Sequence, residues 1–417
     1  MKEYIMEKRF DNDILNGLVS VLIVMIVASI GWIVWSQGFN LLFKIIAGDS
    51  LKTIDSSLQD LFLLNAVEGS FFWLVISSWV WFSLDLGNYG KYAKTSKQPQ
   101  AGFRYFLLSL AAGFVGFIIF VGLHGIWWEP FKWKVLFTPQ TNVEAALAIK
   151  GWGAINFFAL SVIMAQIPIV SLFQRYPFSK YSKSDWSIGF GTLGLSFFIA
   201  LLNWNTFILP SFIQLQTNVQ VAGQEILVLA TQQPFGSWST ALAWAQIFIF
   251  FFLLPAEGGE LYPQKIFTDK QPYSGMVGLL IALIGAFTLL PLLRSILAPL
   301  ATSVNLDNDL VVASFVLTII NVLLTWHHLF YDYPSSDKAR LGKRLSMRLI
   351  TVLVVGSILG IVWIKYHHLI PFGSNDLGLK HPMLGLMGGQ FVYMMPMLIM
   401  NTFFDKWPNA QSKLKNQ

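Results

Sequence analysis

The sequence predicts an all-α polytopic membrane protein of about ten transmembrane helices, arranged as five tandem helical hairpins with both termini cytoplasmic. Three observations predict it. Of 417 residues, 55% are hydrophobic and only 12% charged, about half the charge of an ordinary soluble domain. Ten stretches carry the roughly 20 apolar residues that cross a bilayer. Lys and Arg divide unevenly between the two sets of loops. The same composition excludes a disordered or collagen-like chain.

The stretches follow in order. Ile14–Ser36 is too long for a signal-peptide core and has no A-x-A site behind it, so it reads as a retained span. Leu61–Leu84 carries Glu68, and Phe103–Gly122 ends before His124. Gly153–Phe173 holds Gln166 and Pro168. Ile188–Phe212 holds Asn203-Trp204-Asn205. Ser239–Leu254 holds Gln246 and is followed by Pro255. Gly275–Leu297 ends on Pro291 and Arg294, and Leu310–Phe330 contains Asn321. Leu345–Ile364 and Leu384–Phe404 complete the set, the last with Gln390, Pro396 and Asn401.

Of the 28 Lys and Arg, 20 lie at the N-terminus or after even-numbered spans, and only Lys44, Lys52, Lys132, Lys134, Lys150, Arg294, Lys365 and Lys380 lie opposite. Positive residues stay inside, so both termini face the cytoplasm of a plasma (inner) membrane. The short basic linkers suit anionic lipid headgroups. Nucleic-acid binding has no support, because the basic residues flank the membrane.

The inner ends of the even spans resemble one another. Aromatics recur at Tyr89, Tyr176, Tyr262, Tyr333 and Trp407, at intervals of 87, 86, 71 and 74 residues, and Pro follows four of the five. Gln-Thr-Asn-Val appears at both Gln140–Val143 and Gln216–Val219. These features predict a parallel repeat of hairpins near 14–89, 103–176, 188–262, 275–333 and 345–407 within one transmembrane domain, 1–417. Such hairpins could close into a ring. Interfacial aromatics and helix-stopping Pro also arise at unrelated helix ends. Phe39–Asp60 is read as a long outer loop of low charge. Gln214–Ala230 is read as an apolar segment lying flat or capping a cavity. Trp127, Trp128 and Trp133 read as an interfacial anchor.

Polar groups at membrane depth point to function, since each costs roughly 2.5–3.5 kcal/mol to insert. The substrate or cavity candidates are Glu68, Gln166, Asn203, Asn205, Gln246, Arg294, Asn321, Gln390 and Asn401. Pro168, Pro255 and Pro396 free backbone carbonyls beside the amides. The same amides also serve as interhelical glue. Arg294 could pair with Glu68, meet an anion, or snorkel. Glu257, Glu260, His327, His328, Asp332 and Asp405 end even spans at one depth and form a weak metal set, lacking HxxxH or HExxH spacing. Adjacent helical residues point about 100° apart, so His327 and His328 are not expected to aim at one ion, whereas His328 and Asp332 could share a face. His124, His367, His368 and His381 make an outer-side metal or haem site conceivable.

The chain has no Cys, which excludes disulfides, thiolate ligation and a thiol nucleophile. No phosphate-binding loop, dinucleotide fingerprint or nucleophile elbow occurs in a usable context, and no catalytic residue is assigned. The expected function is a membrane transporter or channel for a small polar or anionic solute, with a cavity lined by Pro-kinked even helices. The alternative is a metal- or haem-dependent membrane oxidoreductase or its subunit, the only case that calls for a cofactor. A third is a membrane anchor for a soluble partner.

Overall fold

The computed structural model describes residues 4–87, 97–209, 217–221, 224–228, 238–334, 339–373 and 384–414. The long helices are α1 (Asp13–Ala47), α2 (Ser56–Asp85), α3 (Gln100–Gly125), α4 (Asn142–Ser171), α5 (Asp185–Asn203), α6 (Trp238–Glu257), α7 (Tyr273–Val304), α8 (Asn308–Leu329) and α9 (Leu341–Tyr366). A π-helical Leu384–Gly388 runs into Gly389–Thr402, and together they form α10. Among the described residues, nine helices, α1 to α9, are long and apolar enough to cross a membrane. The described part of the tenth expected span, Leu384–Thr402, is helical but is not among those nine.

Local chemistry sets the helix ends. Asn12 caps α1 by accepting from the N–H of Ile14 and Leu15 (2.9 and 3.3 Å). That helix continues to Gly48, where φ is +55°, so the first half of the expected loop Phe39–Asp60 is helical instead. No Pro interrupts Gln37–Ala47, and a glycine supplies the left-handed stop. At α4, Thr141 Oγ1 accepts from Glu144 N (3.2 Å) and Glu144 Oε2 accepts from Gln140 N (2.6 Å). This reciprocal cap starts α4 eleven residues earlier than expected and carries Lys150 into the helix, where it is buried.

Two short ribbons join the helices. β1 (Tyr4–Lys8) pairs antiparallel with β4 (Ala410–Leu414), Tyr4 facing Leu414, which places the two chain ends at the same end of the bundle. β2 (Thr217–Val221) and β3 (Gln224–Val228) form a hairpin whose second strand lies against α4. The described part of Gln214–Ala230 is thus a two-stranded ribbon; its alternating β-branched residues favour strand.

Burial separates the helices into two layers. In the most apolar windows of α2, α4, α6 and α8, 61–78% of residues are buried, against 22–28% in the five odd-numbered helices. The odd helices carry the exposed apolar side chains, such as Leu22, Ile26 and Ile30 of α1 and Leu107, Phe114 and Ile118 of α3, as a lipid-facing surface requires. The even helices neighbour one another in chain order: α2 on α4, α4 on α6, α6 on α8, α8 on α10. α10 returns to α2 through Trp79 Nε1 donating to Thr402 Oγ1 (2.9 Å), Phe72 against Phe391 and Phe82 against Phe403.

Each outer helix also meets the end of an inner helix. A Cβ at Gly17 of α1, Gly102 of α3 or Gly275 of α7 would fall inside the ring of Phe330, Phe404 or Phe173, which end α8, α10 and α4. Gln98 donates to Phe403 O (3.1 Å) and accepts from Gly102 N (3.1 Å). Gln271 repeats this with Leu172 O (2.8 Å) and Gly275 N (3.3 Å). Ser196 of α5 donates to Asp85 at the end of α2 (2.9 Å). Arg344 and Arg348 of α9 bind the end of α6.

Candidate functional site

α4, α6, α8 and α10 end in one backbone shape. Two consecutive residues take left-handed φ: Gln174 and Arg175, Glu260 and Leu261, Tyr331 and Asp332, Asp405 and Lys406. The aromatic and Pro follow, cis in each of Tyr176-Pro177, Tyr262-Pro263, Tyr333-Pro334 and Trp407-Pro408. In three of these bends the second left-handed residue donates its N–H six residues back: Arg175 to Ile169 O (2.9 Å), Leu261 to Pro255 O (2.8 Å) and Lys406 to Met400 O (2.8 Å). These bonds satisfy carbonyls that a helix end leaves open. Five residues before each aromatic stands a polar side chain: Ser171, Glu257, His328 and Thr402. The corresponding aromatic of the first hairpin, Tyr89, lies outside the described residues.

The bend after α8 builds a cluster. With Tyr331 and Asp332 left-handed, the Asp332 carboxylate turns back to 2.9 Å from His327 Nδ1. His327 Nε2 then lies 3.0 Å from Glu257 Oε2 on α6, and His328 Nε2 lies 3.8 Å from the same oxygen. The Asn401 amide of α10 lies 2.9 Å from His328 Nδ1. Both adjacent imidazoles therefore converge on one carboxylate, contrary to the expectation from helical spacing, and Asp332 partners His327, not His328. Among the described residues, Glu257, His327 and His328 are the one group of three whose donor atoms lie within 4.8 Å of one another.

Glu260 and Asp405, placed in the same set by sequence, go elsewhere. Arg344 Nη2 donates to both Glu260 oxygens (2.8 and 2.9 Å), and Arg348 Nη1 reaches Glu260 Oε1 (3.2 Å). Arg348 also donates to the carbonyls of Asp332 (2.6 Å), Gly258 (3.3 Å) and Pro334 (3.3 Å). One guanidinium thus ties the ends of α6 and α8 together. Asp405 accepts from Gln98 Nε2 (3.0 Å), and burial holds its carboxyl above the usual range. Beside it, Lys406 Nζ sits 3.5 Å from the centroid of the Tyr331 ring, and Lys8 Nζ stands 4.2 Å from it. Burial, with repulsion from Lys8, pushes the Lys406 ammonium down to about 8.

The remaining candidates occupy separate places. Glu68 is 5% exposed and lies four residues from Phe72, hence on the same helical face, the face that meets Phe391 of α10. Gln166 and Gln246 are buried, and among the described residues neither amide atom of either has a hydrogen-bond partner. Gln390 donates to Ser314 O and Oγ (3.0 and 2.8 Å) and accepts from Thr318 (3.1 Å) and Asn321 (3.5 Å), an interhelical network. Asn203 donates to Ser161 (2.9 Å), while Asn205 is exposed on α5 and bonds its own helix at Leu201 O (2.8 Å). Arg294 donates to both Asp309 oxygens (2.5 and 2.6 Å) and to Thr240 (3.2 Å); its partner is Asp309, not Glu68. On the other side His124 accepts from Trp204 Nε1 (3.2 Å) and His367 Nδ1 lies 2.8 Å from Gly373 O. They share no ligand point, and His381 lies outside the described residues.

Two apolar clefts flank α1. One of about 440 Å³ lies among α1, α8, α9 and α10, and one of about 360 Å³ among α1, α2, α3 and α10. Neither is lined by Glu257 or the His pair.

Sequence reasoning missed Arg344 and Arg348, which it counted only as loop charge. Their i, i+4 spacing on α9 was the available signal. No protein-family model, curated protein or solved structure matches the chain.

Proposed function

We propose that the chain is an integral membrane transporter or channel for a small polar solute, built from five tandem helical hairpins. In this reading the even helices enclose the path, the odd helices face lipid, and both termini lie on the cytoplasmic side of a plasma (inner) membrane. One observation carries it. Four inner helices end in the same bend, and five residues before each aromatic stands Ser171, Glu257, His328 or Thr402; in this reading the four form a collar at the basic end of the bundle. Repeated helix ends around one axis are how parallel repeats build a shared path.

The collar offers hydroxyl, carboxylate and imidazole groups that replace part of a solute's hydration. Deeper in, the rings of Phe72 and Phe391 meet at a centroid distance of 5.0 Å, an apolar constriction of the kind that gates by excluding water. Arg294, the cation expected to draw anions, is neutralised by Asp309. Glu257 at the collar is in turn paired with His327 (3.0 Å), so this reading favours a neutral polar solute over an ion. Gln166 and Gln246 contribute unpaired amides between inner helices.

A second reading, a metal-dependent membrane oxidoreductase, is favoured by the His–carboxylate cluster alone; a visible absorption spectrum from bound iron, copper or haem would favour it. The direct test of transport uses purified protein in liposomes. Stopped-flow light scattering follows entry of glycerol and urea, and fluorescent reporters follow K⁺ and Cl⁻. Flux of at least one solute above that of protein-free liposomes is expected, reduced by Phe72→Trp. Flux equal to protein-free liposomes for all four would overturn the reading.

A further inference from the structure

The geometry points to a divalent transition-metal site at the inner end of the bundle, with Glu257, His327 and His328 as its ligands. The inference does not depend on whether a solute crosses the membrane.

Ligand spacing is the first argument. Zinc-class ions bind His nitrogen and carboxylate oxygen at about 2.0–2.2 Å in tetrahedral geometry, which sets ligand atoms about 3.3 Å apart. Glu257 Oε2 lies 3.0 Å from His327 Nε2 and 3.8 Å from His328 Nε2, bracketing that value, and all three atoms fall within 4.8 Å of one another. Small side-chain rotations bring them onto one ion.

The outer contacts are the second. In a metal-binding His the second ring nitrogen is held by a carboxylate or an amide oxygen, which orients the ring and selects the tautomer. His327 Nδ1 is held by Asp332 (2.9 Å), and His328 Nδ1 by the Asn401 amide (2.9 Å). The amide atom beside His328 Nδ1 is Asn401 Nδ2; metal binding at His328 Nε2 requires that amide to turn over, so that its oxygen accepts from Nδ1–H. Both rings are anchored at Nδ1 and present Nε2 to the Glu257 carboxylate, at 3.0 Å for His327 and 3.8 Å for His328.

Charge is the third. Glu257 and Asp332 together balance a dication. The nearby Arg344 and Arg348 are engaged by Glu260 and backbone carbonyls, and Lys406 lies over the Tyr331 ring. Two imidazoles and one carboxylate suit Zn²⁺, Co²⁺ or Ni²⁺, not Mg²⁺ or Ca²⁺, which take oxygen ligands. Three protein ligands leave a fourth position for water or an exchangeable group, and the Glu257 and His327 side chains are 22% and 30% exposed, enough to admit it.

The test uses full-length protein in detergent, its affinity tag removed, stripped with chelator and then loaded with Co²⁺ or Zn²⁺. Elemental analysis is expected to find one ion per chain, and Co²⁺ to give the intense visible bands of a tetrahedral site. Glu257→Gln and His328→Ala are expected to abolish stoichiometric binding. Asp332→Asn and Asn401→Ala are expected to weaken it about 10–100-fold, an effect that a metal-free ion-pair cluster does not produce. His367→Ala is expected to bind like the parent protein. Less than 0.5 ion bound by the parent protein, or full binding retained by both Glu257→Gln and His328→Ala, would overturn the proposal.

Discussion

Arg348→Ala tests the joint between α6, α8 and α9. The Arg348 side chain is 6% exposed and contacts one carboxylate and three carbonyls. Arg344 still serves Glu260 in the variant, so that carboxylate keeps a cation. The carbonyls of Asp332, Gly258 and Pro334 lose the donor seen here. Hydrogen bonds to a charged group contribute about 1.5–3 kcal/mol each. The two shortest distances, 2.6 Å to Asp332 O and 3.2 Å to Glu260, carry most of the effect. Because Arg344 leaves no charge unpaired and the Glu260 side chain is 36% exposed, the lost hydrogen bonds set the cost, and about 1.5–3 kcal/mol is expected for the variant. Arg348→Lys keeps the charge but not the planar fork that spans two helix ends, so it is expected to recover less than half of the loss. The assay is reversible denaturant unfolding in micelles, with Trp emission as the signal. A loss under about 1 kcal/mol for Arg348→Ala would refute the joint, as would full recovery by Lys.

Three other outcomes are expected. Gly102→Val and Gly275→Val push side-chain atoms into Phe404 and Phe173; each is expected to lose about 1–3 kcal/mol by overpacking, whereas Gly31→Val, with nothing within 4 Å, is expected to melt like the parent. The Lys406 pKa is depressed in the fold, from 10.5 to about 8, so the unfolded chain holds more protons between those values and stability rises as pH climbs from about 8 to about 10.5. A melting curve that falls over this window, or a Lys406→Met variant with the same pH slope, contradicts that assignment. In the liposome assay Glu68→Gln is expected to lower flux and Arg294→Gln to leave it unchanged; the reverse pattern would move the path from the inner ring to the Arg294–Asp309 pair.

Composition and the positions of Lys and Arg made the membrane spans readable, because hydrocarbon thickness and charge act on every residue independently of partners. The recurrence of Tyr or Trp before Pro was readable as well, since one backbone bend repeats in one sequence form. Azimuth was not. Depth placed Glu260 and Asp405 with His327, yet Arg344 and Gln98 capture them from other helices. Helical spacing separated His327 from His328, but a carboxylate on the neighbouring helix α6 brings both rings to it. Arg294 and Asp309 are only 15 residues apart across a tight turn, and that local pairing was passed over for a distant Glu68. For Gln214–Ala230, apolar content suggested a segment lying flat or capping a cavity without fixing its secondary structure; only the alternation of Val and Ile with polar residues signals strand.

The joints between even-numbered helices are not equally strong. Between α6, α8 and α9, two guanidinium groups bind a carboxylate and three carbonyls. Between α10 and α2, among the described residues, contact is looser: aromatic edges and one indole hydrogen bond, from Trp79 to Thr402. A load applied to the bundle therefore collects at that seam. If the proposed transporter opens, the Trp79–Thr402 contact is expected to part before the α6–α8–α9 joint does.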